Sequence, residues 1–127
     1  MQTTVHRLYA ALAAGDVPAA AAVLRPDAVL HVPGTHPLAG EHAGIPAILE
    51  FLSATRARSD AGERIDVLDV LDGRDHVAVY CRVRAERGPA ALDNPTVHLL
   101  RLEDDRVAEI WFHNREQAPV DAFWSGR

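Results

Sequence analysis

The hydrophobic period of this chain changes once, and the change narrows the folds open to it. Up to about residue 58, apolar side chains recur mainly at helical spacing. After Ser59-Asp60-Ala61-Gly62 they recur at every second position. Helices first and an antiparallel meander after them read as α+β, with the helices segregated to one face of the sheet. A strongly curved sheet wrapped in this way leaves a cavity between its layers.

Three helices are predicted in the first part. Val5, Leu8 and Leu12 share a helical face, with Thr3 or Thr4 available as N-cap and Gly15 as the stop. Asp16 caps a second helix that carries Pro18 in its first turn and ends at Pro26. Asp27 to Val32 reads as a short strand closed by Pro33-Gly34, followed by a loop containing His36 and His42. Ile45, Ile48, Leu49 and Leu52 then mark a third amphipathic helix, entered after Gly44 with Pro46 in its first turn.

Strands are predicted over Ile65–Leu71, around Val77–Val83, over Thr96–Glu103 and over Val107–His113. Asp72-Gly73 and Asp104-Asp105 supply turns, Gly88 to Pro95 reads as a loop, and PVDAFW forms the tail. Parity assigns the faces. Val77, Val79, Cys81 and Val83 point one way, and Tyr80, Arg82 and Arg84 the other. Thr96, His98, Leu100 and Leu102 point inward, as do Ala108, Ile110, Phe112 and Asn114. Val107, Glu109, Trp111 and His113 fall outside.

At 127 residues the chain is expected to form a single domain over 1–127, long enough for one core without staples. A net charge of −5 argues against nucleic acid as partner. The lone Cys81 excludes an intramolecular disulfide and, inside an apolar strand, reads as a buried, inert thiol. No segment approaches the ~20 apolar residues of a membrane span, and a cytoplasmic location is expected.

Four strings span nearly the whole chain: VHRLYAALAAGDVPAAAAVLRPDAVLHVPG, HPLAGEHAGIPAILEFL, PTVHLLRLEDDRVAEIW and DAFW. In their order and content they resemble the nuclear transport factor 2-like superfamily, above all its SnoaL-like polyketide cyclase and ketosteroid isomerase branches. The resemblance implies an α+β barrel with a cone-shaped hydrophobic pocket and a homodimer through the outer sheet face. On that face Tyr80, Arg82, Arg84 and Trp111 are the expected contacts.

Carried over position by position, the isomerase's oxyanion-hole tyrosine falls at Leu8, with Tyr9 one step and about 100° away. Its general-base aspartate falls near Val32 and its second acid at His98. The cyclase branch is similar in placing a histidine at His98, but its acid falls at Asn114, which cannot take a proton at neutral pH.

His98 and Asn114 therefore form the leading candidate pair. His98 reads either as an acid or base with an ordinary pKa of about 6.5 or as a satisfied core residue. Asn114 either polarises a substrate oxygen or caps its strand. Tyr9 either donates a hydrogen bond or packs. His31 alternates with Val29 against Leu30 and Val32, so its side stays open. Leu12, Ile48, Leu52, Val79, Leu100 and Phe112 are the expected pocket lining, with Asp16 and Asp93 as candidate inward carboxylates.

His31, His36, Glu41 and His42 match no compact metal motif, so neither a metal nor another cofactor is expected. The expected function is a cofactor-independent cyclase or isomerase using acid/base chemistry on an apolar, oxygenated small molecule such as a polyketide-like or terpenoid intermediate. The alternative is a small-molecule-binding module of the same fold that performs no chemistry.

Overall fold

The computed structural model describes residues 2–126. Its elements run α1 (Gln2–Ala14), α2 (Val17–Ala22), β1 (Leu24–Val32), β2 (Gly40–Ala43), α3 (Ile45–Ala57), β3 (Arg64–Asp72), β4 (His76–Arg87), β5 (Ala90–Glu103), β6 (Arg106–Asn114) and α4 (Gln117–Trp124). The strands form a six-stranded curved sheet in the order β2-β1-β6-β5-β4-β3. β1 pairs parallel with β6, and every other neighbouring pair is antiparallel. α1 lies against β3 and β6, α3 against β1 and β2, and α4 against β5. The expected α+β architecture is thus present, with one helix more than predicted.

Local chemistry sets most boundaries. Asp16 accepts a hydrogen bond from the Ala19 amide at 3.1 Å and starts α2, with Pro18 in the first turn. Gly15 ends α1 at φ +67°, a conformation that costs a glycine little. Asp104 and Asp105 both take positive φ in the tight β5–β6 hairpin, as a two-residue primed turn requires.

Thr3 and Thr4 lie within α1 rather than capping it. The Thr4 hydroxyl instead donates to the Asp105 carbonyl at 3.0 Å, tying the helix to that hairpin. Pro26 sits in β1, and α2 has ended before it.

Three predicted irregular stretches are ordered. His42 belongs to β2, a short edge strand paired with β1. The tail from Gln117 is α4, which buries Val120, Phe123 and Trp124. The predicted loop from Gly88 to Pro95 is a tight Gly88-Pro89 hairpin followed by the first turns of the β5 ladder, with Arg87 opposite Ala90. Pro95 falls where β5 runs beyond the end of β6, an edge position that tolerates its missing N–H.

The core lies between the helices and the concave face, where Val5, Val77, Val79, Leu100 and Val107 are fully buried. Val107 departs from its predicted face because the β5–β6 register shifts between Arg101 and Leu102. On the convex face Arg82 pairs with Asp93 at 2.6 Å and Arg64 with Glu86 at 2.7 Å, while Arg84 meets Asp66. Such exposed pairs are screened by solvent and add little, whereas truncating a buried leucine costs about 2–5 kcal/mol. Burial, not the arginine ladder, holds the sheet.

Candidate functional site

A cavity of about 80 Å³ opens between the concave face of the sheet and the helices. Leu12, Ile48, Leu52 and Phe112 line it as expected. Val79 and Leu100 do not: they are fully buried in the packed layer and lie outside the lining. Leu8 and Val32, which stand where the isomerase branch carries its tyrosine and base, are both apolar cavity walls.

Alternation along β5 turns His98 inward, where it is 5% exposed. Its Nδ1 lies 2.7 Å from the Tyr9 hydroxyl, and its ring stacks on Phe112 with centroids 4.1 Å apart. The 100° step from Leu8 leaves Tyr9 on the cavity side of α1, so Tyr9 packs and hydrogen-bonds at once. Burial lowers the His98 pKa to about 3, and the ring is neutral at physiological pH. The sequence-based expectation of an ordinary histidine is therefore corrected. Burial also raises the Tyr9 phenol well above its usual value, with a further push from Cys81, so the phenol stays protonated.

Cys81 Sγ is 3.8 Å from His98 Nδ1. Burial, with the charge of Glu63 adding to it, pushes this thiol up to about 12. It is the inert thiol that its strand context implied.

The carboxyl group that the sequence reading did not find is Glu63. It precedes β3 by one residue and lines the cavity two positions before Ile65, which lines it too. Burial raises its pKa to about 7, with the Thr55 hydroxyl offsetting part of the shift. Period-two spacing back from Ile65 was the available signal, but the turn residues before it hid the strand's approach. The two candidate inward carboxylates, Asp16 and Asp93, face elsewhere. Asp16 is spent on the α2 cap, and exposed Asp93 is paired with Arg82.

Asn114 lines the cavity, but both ends of its amide are engaged. Its Oδ1 accepts from Asn94 Nδ2 at 2.9 Å, and its Nδ2 donates to Gln117 Oε1 at 3.0 Å. Gln117 in turn donates to the Pro33 carbonyl at 3.2 Å and to Asp121 at 3.0 Å. This chain stitches β5, β6, α4 and the β1–β2 loop together at one side of the cavity. Leu92 and Asn94, placed in a loop by their composition, are inward residues of β5.

His31 points to the other side of the sheet. Leu30 and Val32 take the buried positions of β1, so His31 faces outward. Its Nε2 lies 2.6 Å from Glu109 Oε2, and its ring stacks on Trp111 at 5.4 Å. It is not part of the cavity.

His36, read as a loop residue, is 5% exposed and lines the cavity. Its Nδ1 accepts the Leu38 amide at 3.1 Å, while its buried Nε2 has no hydrogen-bond partner. Burial is the main cause of its lowered pKa, with the Asp121 carboxylate and the Pro33 carbonyl opposing it and Arg58 adding to it. His42 uses its Nε2 on the Leu38 carbonyl at 2.9 Å. His31, His36 and His42 are thus turned to three different tasks, and among the described residues no group of three or more His, Cys, Asp or Glu could hold a metal ion.

Comparison with known proteins agrees with this architecture. Residues 5–110 match the model of the SnoaL-like domain. An uncharacterised protein of Mycobacterium tuberculosis is 32% identical over 123 residues, covering 95% of this chain and 93% of its own. The structure of Bal32a, from a soil-derived mobile gene cassette, superposes with a TM-score of 0.93 at 29% identity, covering 97% of this chain and 95% of that one. A putative polyketide cyclase from Sinorhizobium meliloti shares the fold with a TM-score of 0.73 at 20% identity, covering 87% of this chain and 94% of its own.

Proposed function

The chain belongs to the SnoaL-like domain family, and on that footing we propose that it is a small acid/base enzyme of cyclase or isomerase type. Its substrate is an apolar, oxygenated small molecule, of the kind a polyketide-like or terpenoid intermediate represents. The observation that carries the reading is Glu63, a carboxyl group with a pKa of about 7 in a mostly apolar cavity. A group titrating there is both a competent base and a competent acid near neutral pH.

The carboxylate of Glu63 removes a proton from carbon next to a substrate carbonyl, and the electron pair moves to the carbonyl oxygen. Tyr9 meets the resulting enolate. With its imidazole proton on Nδ1, neutral His98 donates to the Tyr9 oxygen and leaves the phenol O–H free to donate to the enolate. Protonated Glu63 then returns its proton to another carbon, completing an isomerisation. For a cyclisation, the enolate carbon instead attacks a second carbonyl, and the proton goes to the new alkoxide. Tyr9 and Glu63 both line the cavity.

Glu63→Gln should lower kcat by at least ~100-fold while the cavity still binds ligand, since general acid–base catalysis is typically worth that much. Tyr9→Phe should lower kcat with little change in KM. Unchanged turnover in Glu63→Gln would remove this mechanism. The rival reading, a binding module without chemistry, draws on the internal pairing of His98 and Asn114. It would be supported if Glu63→Gln and the parent bound the same ligands and neither formed product.

We also propose a homodimer through the convex face. A cross-strand row of Leu71, Ala78, Leu99 and Trp111 runs over that face, with Leu71 56% exposed.

A further inference from the structure

We propose that His36 is a ligand-binding residue, its Nε2–H the donor that holds a carbonyl oxygen of a neutral, largely apolar molecule in the cavity. The inference deepens the reading of the cavity as a substrate site and rests on it.

The proton on His36 is placed by its neighbours. The Leu38 amide donates to Nδ1, so Nδ1 is an acceptor. A neutral ring in that state carries its proton on Nε2. Nε2 is buried without a hydrogen-bond partner in a residue that lines the cavity, a state that protein interiors rarely tolerate.

The ring is also held firmly. His36 closes a turn with the Ala39 amide at 3.0 Å. The preceding Thr35 amide donates to Asp121 at 3.1 Å, and Gln117 grips the Pro33 carbonyl. A donor fixed this well, and left unpaired, is preorganised for an occupant.

The rest of the lining narrows the chemistry. The lining contains no arginine, and Glu63 is the charged group in it, so a carboxylate ligand would find no counter-ion and would be repelled. An alcohol could also accept from Nε2–H, but it would bring a hydroxyl proton that needs an acceptor of its own. A carbonyl satisfies His36 and brings no donor of its own.

The test uses three matched probes on the purified protein: α-tetralone, tetralin and α-naphthoate. Affinity is followed by quenching of Trp124, which lines the cavity. We expect α-tetralone to bind about tenfold more tightly than tetralin, the order that a buried unsatisfied donor implies, and α-naphthoate to bind more weakly than α-tetralone. His36→Phe keeps ring volume without the donor and should bind α-tetralone and tetralin alike. In the parent protein, the His36 Nε2–H resonance should shift with α-tetralone and not with tetralin, a measurement that decides the matter should His36→Phe fail to fold.

Equal affinity of the parent for α-tetralone and tetralin would overturn the proposal. So would a preference retained in folded His36→Phe, tighter binding of α-naphthoate, or an unmoved Nε2–H resonance. Glu63→Gln should keep the α-tetralone preference. A preference that persists while no turnover depends on Glu63 removes the enzyme reading alone. Glu63-dependent turnover without the preference removes the role of His36 alone.

Discussion

Two side chains of the cavity lining, half-buried Glu63 and buried His98, pull the stability of this protein in opposite directions as pH changes. The carboxyl of Glu63 has a folded-state pKa of about 7, above its ordinary 4.5. Between those values the folded state holds a proton that the unfolded state has lost, so stability falls as pH rises through that window, by up to ~3 kcal/mol. His98 acts the other way, with its pKa lowered from 6.5 to about 3. As pH drops below 6.5, the unfolded chain gains a proton that the buried ring refuses, and stability falls again. Urea unfolding against pH should therefore show a maximum in the mildly acidic range. Glu63→Gln should flatten the decline towards neutral pH, and His98→Gln should soften the decline on the acid side. A profile of Glu63→Gln that follows the parent through pH 7 would show that Glu63 does not hold a proton in the folded state up to that pH.

Among the elements, the contact between the β1–β2 loop and α4 places two of the cavity's polar groups, His36 and Asn114. It depends on Gly34, whose φ is +108° and whose missing Cβ would lie 2.1 Å from Asp121 Oδ1 and 2.4 Å from Gln117 Nε2. Gly34→Ala combines backbone strain with a steric clash and should cost at least ~2 kcal/mol in denaturant unfolding. It should also weaken α-tetralone binding, because the loop carries His36. A Gly34→Ala protein as stable as the parent would mean that the loop and α4 are not packed this closely.

This contact also marks a limit of sequence reading at this scale. Pro33-Gly34 is legible as the end of a strand. What the glycine is for depends on a helix more than 80 residues later in the chain, which was read only as a tail. The apolar period located α1 and α3, and Gly15 and Asp16 the break between α1 and α2, because those signals are local; the threonine cap of α1 and the Pro26 end of α2 were misplaced. Local signals also failed over Ala90–Pro95, where turn-like residues are drawn into a ladder by pairing with β4.

For the whole molecule, the strongest expectation concerns assembly. The row through Leu99 and Trp111 is flanked by charged pairs, and a second copy would cover it. Leu99→Glu should turn a dimer into a monomer in sedimentation velocity, with little loss of monomer stability because Leu99 is only partly buried. A parent protein that sediments as a monomer would remove the dimer proposal.

The chain by itself determined its α+β class, the inward position of His98 and the burial of Cys81, because period and parity are properties of neighbouring residues. Family resemblance extended this to the cone-shaped fold. Only the tertiary structure decided which polar groups share the cavity. It brought Glu63 in beside the β3 entry, set Tyr9 against His98, buried His36 and turned His31 out to Glu109. Those outcomes, and the pKa values that follow from them, depend on which distant elements close over each side chain and how much water they exclude. No local pattern encodes that closure.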